Sequence, residues 1–306
     1  MALDISRRSF LLSSAQFGLG LAASSRAMAT EADPVSGRTL TFADNFGHID
    51  WTVWDAGPKP TKSDPGFYGR SAFARRDGEE GFNPYAIVDD AAATDGKALQ
   101  ISAKYIGRTM SVPHYYGNSF REFQWISGNL KTAKRSGEIS KSWRKGYFEA
   151  RMLFPRHPLT WPAFWMMNGR SILFPKTSIE LDVVEHKGWE PNLYGAYLHE
   201  WGEPGQNHDS TGVPTPVDMT RQYCRYGILV TDEFCTPYFE RVPVIDMATK
   251  LPAKWKITRA RELDMQGDTF WPLLTLALRS DVPYPAQLRP EELLTHMRID
   301  YFHVYQ

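Results

Sequence analysis

The chain has 306 residues, with 35 lysines and arginines balanced by 35 aspartates and glutamates. That balance leaves no net field to draw in nucleic acid or an anionic membrane, and the length fits one large domain or two small ones. Aromatic residues make up 13% of the chain, including ten Trp and fourteen Tyr; with 21 Pro and 23 Gly they suggest short strands, many turns and rings enough to line a binding groove.

The N-terminus reads as an address rather than as fold. Ser6-Arg7-Arg8-Ser9-Phe10-Leu11-Leu12 resembles a twin-arginine export signal, an apolar stretch runs to about Ala23, and Ala27-Met28-Ala29 has the small-x-small pattern of a cleavage site. The stretch is too short and too rich in Ser and Gly to span a bilayer, which takes about 20 apolar residues. Residues 1–29 are therefore expected to be a twin-arginine signal peptide cleaved after Ala29. Residues 30–306 are expected to be one catalytic domain, monomeric, periplasmic or extracellular, with no membrane attachment after cleavage.

Strand-like runs follow, separated by turn signals. They cover Thr39–Ala43, Ala98–Lys104, Ile126–Ala133, Gly146–Phe154, Ala163–Asn168 and Ser178–Glu185, then Leu193–His199, Tyr223–Val230, Phe234–Glu240, Phe270–Leu278 and Met297–Tyr305. In Tyr147–Phe154 the alternation places Phe148, Ala150, Met152 and Phe154 on one face. Arg289–Thr295 has room for one or two helical turns. Trp54–Asn83, Gly107–Trp125 and Trp201–Asp218 read as long, ordered binding loops. About a dozen strands without intervening helices predict an all-β antiparallel sandwich of the jelly-roll type. The two cysteines, Cys224 and Cys235, flank a hairpin turn at Thr231-Asp232-Glu233 that sets Leu229 opposite Cys235, so no bridge between them is expected.

Ile179-Glu180-Leu181-Asp182-Val183-Val184-Glu185 carries the chemistry. In a regular strand Glu180 and Asp182 share a face, and a third acid belongs at Val184; it stands one residue later. A one-residue β-bulge near Val183-Val184 returns Glu185 to the same side. A solvated edge strand could also carry such acids, but three carboxylates on one face of an otherwise apolar strand read as a catalytic row. Carboxyl groups that act as a pair on one bond must stand only a few ångströms apart. Five residues of flat strand span roughly 16 Å, so curvature and long side chains must close the gap.

This row, with Lys145-Gly-Tyr-Phe-Glu-Ala-Arg151 and Trp161-Pro-Ala-Phe-Trp-Met-Met167 before it and Ile299-Asp-Tyr-Phe-His-Val-Tyr305 at the end, resembles glycoside hydrolase family 16, the laminarinase- and lichenase-like β-glycanases. The resemblance spans most of residues 30–306. It implies a concanavalin A-like jelly roll with a concave substrate groove and retaining cleavage of internal β-glycosidic bonds in a polysaccharide. Glu180 matches the nucleophile, Glu185 the acid/base and Asp182 the carboxylate that assists them. Trp161 and Trp165 match sugar-stacking residues; being four apart, they share a strand face, and the alternative for either is a core role. His199 matches a position near the acid/base, where it would hydrogen-bond Glu185 or the leaving sugar or serve as a structural histidine. Trp189 and Trp201 are candidates for outer subsites. No cofactor is implied for catalysis, while Asp300 resembles a ligand of a structural calcium ion. Thr275 occupies a position where relatives usually carry Asn, so the groove's far end is atypical. The reading is an exported endo-β-glycanase for β-1,3 or mixed β-1,3/1,4-glucan. A bacterial exopolysaccharide hydrolase, a transglycosylase and a carbohydrate-binding lectin are the alternatives.

Overall fold

A computed structural model describes residues 33–57, 67–113, 120–134, 136–174, 177–202, 206–259, 268–279 and 288–306. The expected signal peptide lies outside the described residues. Two β-sheets pack face to face, as the strand-rich sequence predicts. In the smaller, the neighbours run Asn207–Pro214, Leu193–Glu200, Ile179–His186, Thr160–Asn168, Phe270–Leu278, Asn129–Lys131 and Asp55–Ala56. The larger is centred on Gly146–Leu153 and Leu294–Tyr305, with Cys224–Val230 and Phe234–Phe239 on one side and Lys97–Pro113 and Phe120–Ser127 on the other. Pairing between the named strands is antiparallel, apart from Ser71–Phe73 beside Phe120–Ser127.

The core lies between the sheets. Phe148, Ala150, Met152 and Phe154 point into it together, as their alternation requires, and meet Phe164, Met166, Leu181, Val183, Val184, Leu198 and Leu276 from the smaller sheet. The opposite face of the smaller sheet is left for function. Only part of that face is dry, where Trp165 and Met167 pack with Trp271 and Leu273.

Three expectations are corrected. The Gly107–Trp125 stretch is largely strand: Lys97–Pro113 and Phe120–Ser127 pair with each other, with a register shift between Tyr105 and Met110. The Trp201–Asp218 stretch contains the strand Asn207–Pro214, which sits at the sheet edge and so keeps the polar composition that disguised it. The hairpin after Val230 pairs Val230 with Cys235 and Leu229 with Thr236, one residue from the expected register. Both cysteines are buried and neither forms a disulfide, and Cys224 pairs with Met152 instead. The helical turn near residue 290 is a short 3-10 segment, Pro290–Glu292. Among the described residues no helix is long and apolar enough to cross a membrane.

Candidate active site

The bulge sits where the acid spacing demands it. Asp182 pairs with Tyr197 and Glu185 with Gly195, so Val183 and Val184 together face the single residue Ala196. On the other side Trp165 pairs with Asp182 and Phe164 with Val184. Both valines are fully buried in the core, which frees Glu185 to rejoin Glu180 and Asp182 on the outer face. The β-branched pair thus contributes hydrophobic burial where the ladder is interrupted.

These acids line two adjoining cavities. The smaller, about 230 Å³, is bounded by Glu180, Asp182 and Glu185 with Trp161, Trp165 and Trp201. The larger, about 580 Å³, continues past Glu185 and Trp161 to Tyr197, Lys187 and Arg279. Trp161 and Glu185 belong to both, so the acid stands at the junction of one groove. Gly195 opposite Glu185 is required by Tyr197, because a Cβ there would come within 2.3 Å of the tyrosine hydroxyl.

The carboxylates have different surroundings. Burial pushes Glu185 up to about 7, the negative charge on Glu180 adds to the rise, and Arg279, a hydrogen bond from Trp161 and Lys187 oppose it. Glu180 Oε2 accepts the Trp201 indole N–H at 3.0 Å. Asp182 Oδ2 lies 3.4 Å from His199 Nε2. One atom each of Glu180, Asp182 and His199 falls within a 4.8 Å set. A carboxyl group near neutrality beside a hydrogen-bonded carboxylate is the pairing that general acid catalysis with a nucleophilic partner uses.

The aromatic expectations divide. Trp161 and Trp165 both face the groove, and Trp165 is oriented by donating its N–H to Thr275 Oγ1 at 2.8 Å, which itself donates to Asn129 Oδ1 at 2.8 Å. The Asn-to-Thr departure noted in the sequence therefore supports an indole directly. Trp201 is corrected from an outer position to the carboxylate row itself, because the strand carries it alongside Glu180. Trp189, 37% exposed, lies across the Arg279 guanidinium at 5.3 Å, with Trp161 at 5.9 Å from the same cation. His199 is corrected too: register sets it opposite Glu180, and its Nε2 addresses Asp182 rather than Glu185. His186 turns inward and stacks on Phe154 at 4.8 Å.

Asp300 does not fit a calcium ligand. It is fully buried, its Oδ1 accepts the Thr94 N–H at 2.8 Å, and its Oδ2 accepts the Thr94 hydroxyl at 2.7 Å and the Arg151 guanidinium. The guanidinium supplies the positive charge that a cation would bring. Arg279, Tyr197 and His208 were not foreseen as site residues. Tyr197 is legible, since it alternates with His199 in one strand; His208 is hidden by the polar composition of the edge strand Asn207–Pro214.

No family model matches the chain. The endo-1,3-1,4-beta-glycanase EglC of Rhizobium meliloti is 31% identical over 159 residues, 52% of this chain and 30% of that protein. The chain's match thus spans about a third of that relative. The catalytic domain of an endo-1,3-beta-glucanase (laminarinase) from Thermotoga petrophila superposes with a TM-score of 0.59 at 19% identity, covering 88% of this chain and 98% of that one. A glycoside hydrolase family 16 endo-glucanase from Bacteroides ovatus gives 0.59 at 16% identity, over 86% and 99%. The fold is that of the family 16 glucanases, and the resemblance read from the sequence motifs holds for the architecture as a whole.

Proposed function

We propose that the protein is an exported retaining endo-β-glycanase that cleaves β-1,3 or mixed β-1,3/1,4-glucan. Support comes foremost from one arrangement: a carboxyl group pushed up to about 7 at Glu185, on the same bulged strand face as Glu180, at the junction of two halves of an indole-lined groove. The names of the similar proteins agree with a glucan substrate.

In this reading Glu185 donates its proton to the glycosidic oxygen while Glu180 attacks the anomeric carbon from the opposite face. The glycosyl ester on Glu180 is then hydrolysed by water that Glu185, now ionised, deprotonates. Trp201 fixes Glu180 through its N–H, and Trp161 and Trp165 offer flat apolar faces to the pyranose rings. The arginine-motif leader carries the protein out of the cytoplasm.

Two measurements test this. Laminarin and mixed-linkage glucan should release oligosaccharides of internal cleavage, and no release from either would defeat the substrate assignment. Azide should rescue Glu180→Ala and give an α-glycosyl azide; an α-azide from Glu185→Ala, with no rescue of Glu180→Ala, would make Glu185 the nucleophile and reverse the roles.

A further inference from the structure

The two cavities divide a bound chain between them. Glu180 and Asp182 border only the smaller one, whereas Glu185 borders both. In the proposed mechanism the sugar attacked by Glu180 therefore occupies the smaller cavity, and the sugar released by the proton of Glu185 departs through the larger. The strands on either side of the acid supply the walls at that point. Trp161 stands on one strand and Tyr197 on the other, with Gly195 and Gly212 paired beside the tyrosine.

Register places the Tyr197 hydroxyl. Gly195 and Tyr197 point to one face of their strand, and Gly195 is the cross-strand partner of Glu185. A Cβ on Gly195 would lie 2.3 Å from the Tyr197 hydroxyl and 2.6 Å from two carbons of its ring. The phenol thus folds back along its strand and sets its hydroxyl where a Gly195 side chain would otherwise stand. Cross-strand partners carry their Cβ atoms about 5 Å apart, so the hydroxyl stands at that range from the stem of Glu185. The His199 ring stacks on the phenol, with centroids 5.6 Å and planes 12° apart, and holds its plane. Burial pushes the phenol up to about 12, the charges of Glu185 and Asp182 add to the rise, and Arg279 opposes it. Tyr197 therefore keeps its proton wherever Glu185 acts as an acid, and its hydroxyl can both donate and accept.

We propose that Tyr197 is a specificity residue for the departing sugar: its hydroxyl hydrogen-bonds a hydroxyl of the pyranose in the larger cavity, and the same contact receives a sugar acceptor in the reverse direction. The proposal rests on Glu180 and Glu185 acting as nucleophile and acid. In the reverse direction the acceptor's hydroxyl oxygen bonds to the anomeric carbon, the ester bond to Glu180 breaks, and the hydroxyl proton passes to Glu185. Water attacking the same ester gives its proton to the same base. The ratio of transfer to hydrolysis therefore cancels the contribution of Glu185 and reads the acceptor's own contacts.

The test compares the parent with Tyr197→Phe, which keeps the ring and its stacking on His199 and removes only the hydroxyl. On a laminari-oligosaccharide, kcat/KM should fall about three- to tenfold, the worth of one neutral hydrogen bond. A 2,4-dinitrophenyl β-laminaribioside releases a phenol with no hydroxyl for Tyr197 to meet, and its kcat/KM should stay close to that of the parent. With that aryl glycoside as donor and laminaribiose added as acceptor, the ratio of transfer to hydrolysis products should fall by the same factor as the oligosaccharide rate. Equal losses on the two substrates overturn the proposal, and so does a parent that transfers to laminaribiose no better than the variant. A parent that cleaves neither substrate removes the reading of the two glutamates on which the proposal rests, so the two failures are distinct.

Discussion

Removing the charge on Glu185 should abolish activity and at the same time stabilise the fold at alkaline pH. Glu185 rises from its ordinary 4.5 to about 7, chiefly because burial penalises the carboxylate. A raised folded-state value means that the unfolded chain gives up this proton more readily, so ionisation favours unfolding. The penalty is absent below about pH 4.5, grows between 4.5 and 7, and is fully present above 7. At about 1.4 kcal/mol per pH unit, the rise from 4.5 to about 7 sets an upper bound of about 3.4 kcal/mol; water in the open groove brings a realistic figure to about 2 kcal/mol. Glu185→Gln removes the ionisation and keeps the shape. Urea unfolding at pH 8.5 should show the variant more stable by about 2 kcal/mol, which is roughly 4–8 °C in Tm for a domain of such size. At pH 4 the two proteins should unfold together to within about 0.5 kcal/mol. Equal stability at both pH values would show that the desolvation argument is wrong, and a variant less stable at pH 8.5 would mean that Glu185 is held by stabilising contacts instead.

Other outcomes follow from single contacts. The alkaline limb of kcat/KM, which reports the free enzyme's acid, should fall near pH 7 and move upward in Arg279→Met, because Arg279 opposes the rise at Glu185. Trp201→Phe deletes the N–H donated to Glu180 and should lower kcat about tenfold with the fold intact, as steady-state kinetics and circular dichroism would show; an unchanged kcat would return Trp201 to a peripheral role. Glu149→Leu should cost about 3 kcal/mol in urea unfolding, since the fully buried carboxylate accepts from Tyr147, Tyr301 and Arg241, the last at 2.8 and 2.9 Å. Asp300→Ala should destabilise by about 2–4 kcal/mol through the unpaired Arg151, and added calcium should leave the Tm of parent and variant unmoved; a calcium-dependent rise in the parent would overturn the reading of Asp300.

The strand row was legible because its signal is local. Three acids and two valines in seven residues fix both the face and the place of the bulge, and the observed register agrees to the residue. Indoles four apart in one strand were legible for the same reason. What escaped the sequence depends on pairing between distant segments. Trp201 follows its strand like any exposed terminal residue, and only the pairing of Ile179 with Glu200 brings it alongside Glu180. His208 sits in Asn-His-Asp-Ser-Thr-Gly, a polar run with no apolar alternation, because an edge strand with one open face has little to bury. Asp300 misled for a different reason: a buried carboxylate beside a sheet can be neutralised by a metal or by an arginine, and Arg151 becomes its partner only through strand pairing, which places Tyr301 opposite Arg151.

The bulge links stability to chemistry in this strand. A regular strand would need its third acid at Val184 to keep the row, and would bury only one of the two valines. With the extra residue both valines enter the core and Glu185 is carried to the far end of the row, where the wall of the larger cavity desolvates it. Glu180 stays at the other end under the Trp201 N–H, and Asp182 lies between them against His199. Three like side chains thereby meet three environments: a buried carboxyl near neutrality, an indole-bound carboxylate, and an acid paired with an imidazole. Differentiation of this kind is what the proposed mechanism requires, since one strand would then supply both an acid and a nucleophile at the same pH. Deleting Val184 would restore strict alternation, with Asp182 still opposite Tyr197, Val183 opposite Ala196 and the glutamate opposite Gly195. The chain would keep its acid row and lose one of two fully buried valines. The deletion should therefore show in urea unfolding, by about 1.5–3 kcal/mol, and a variant as stable as the parent would show that the bulge adds nothing to the core.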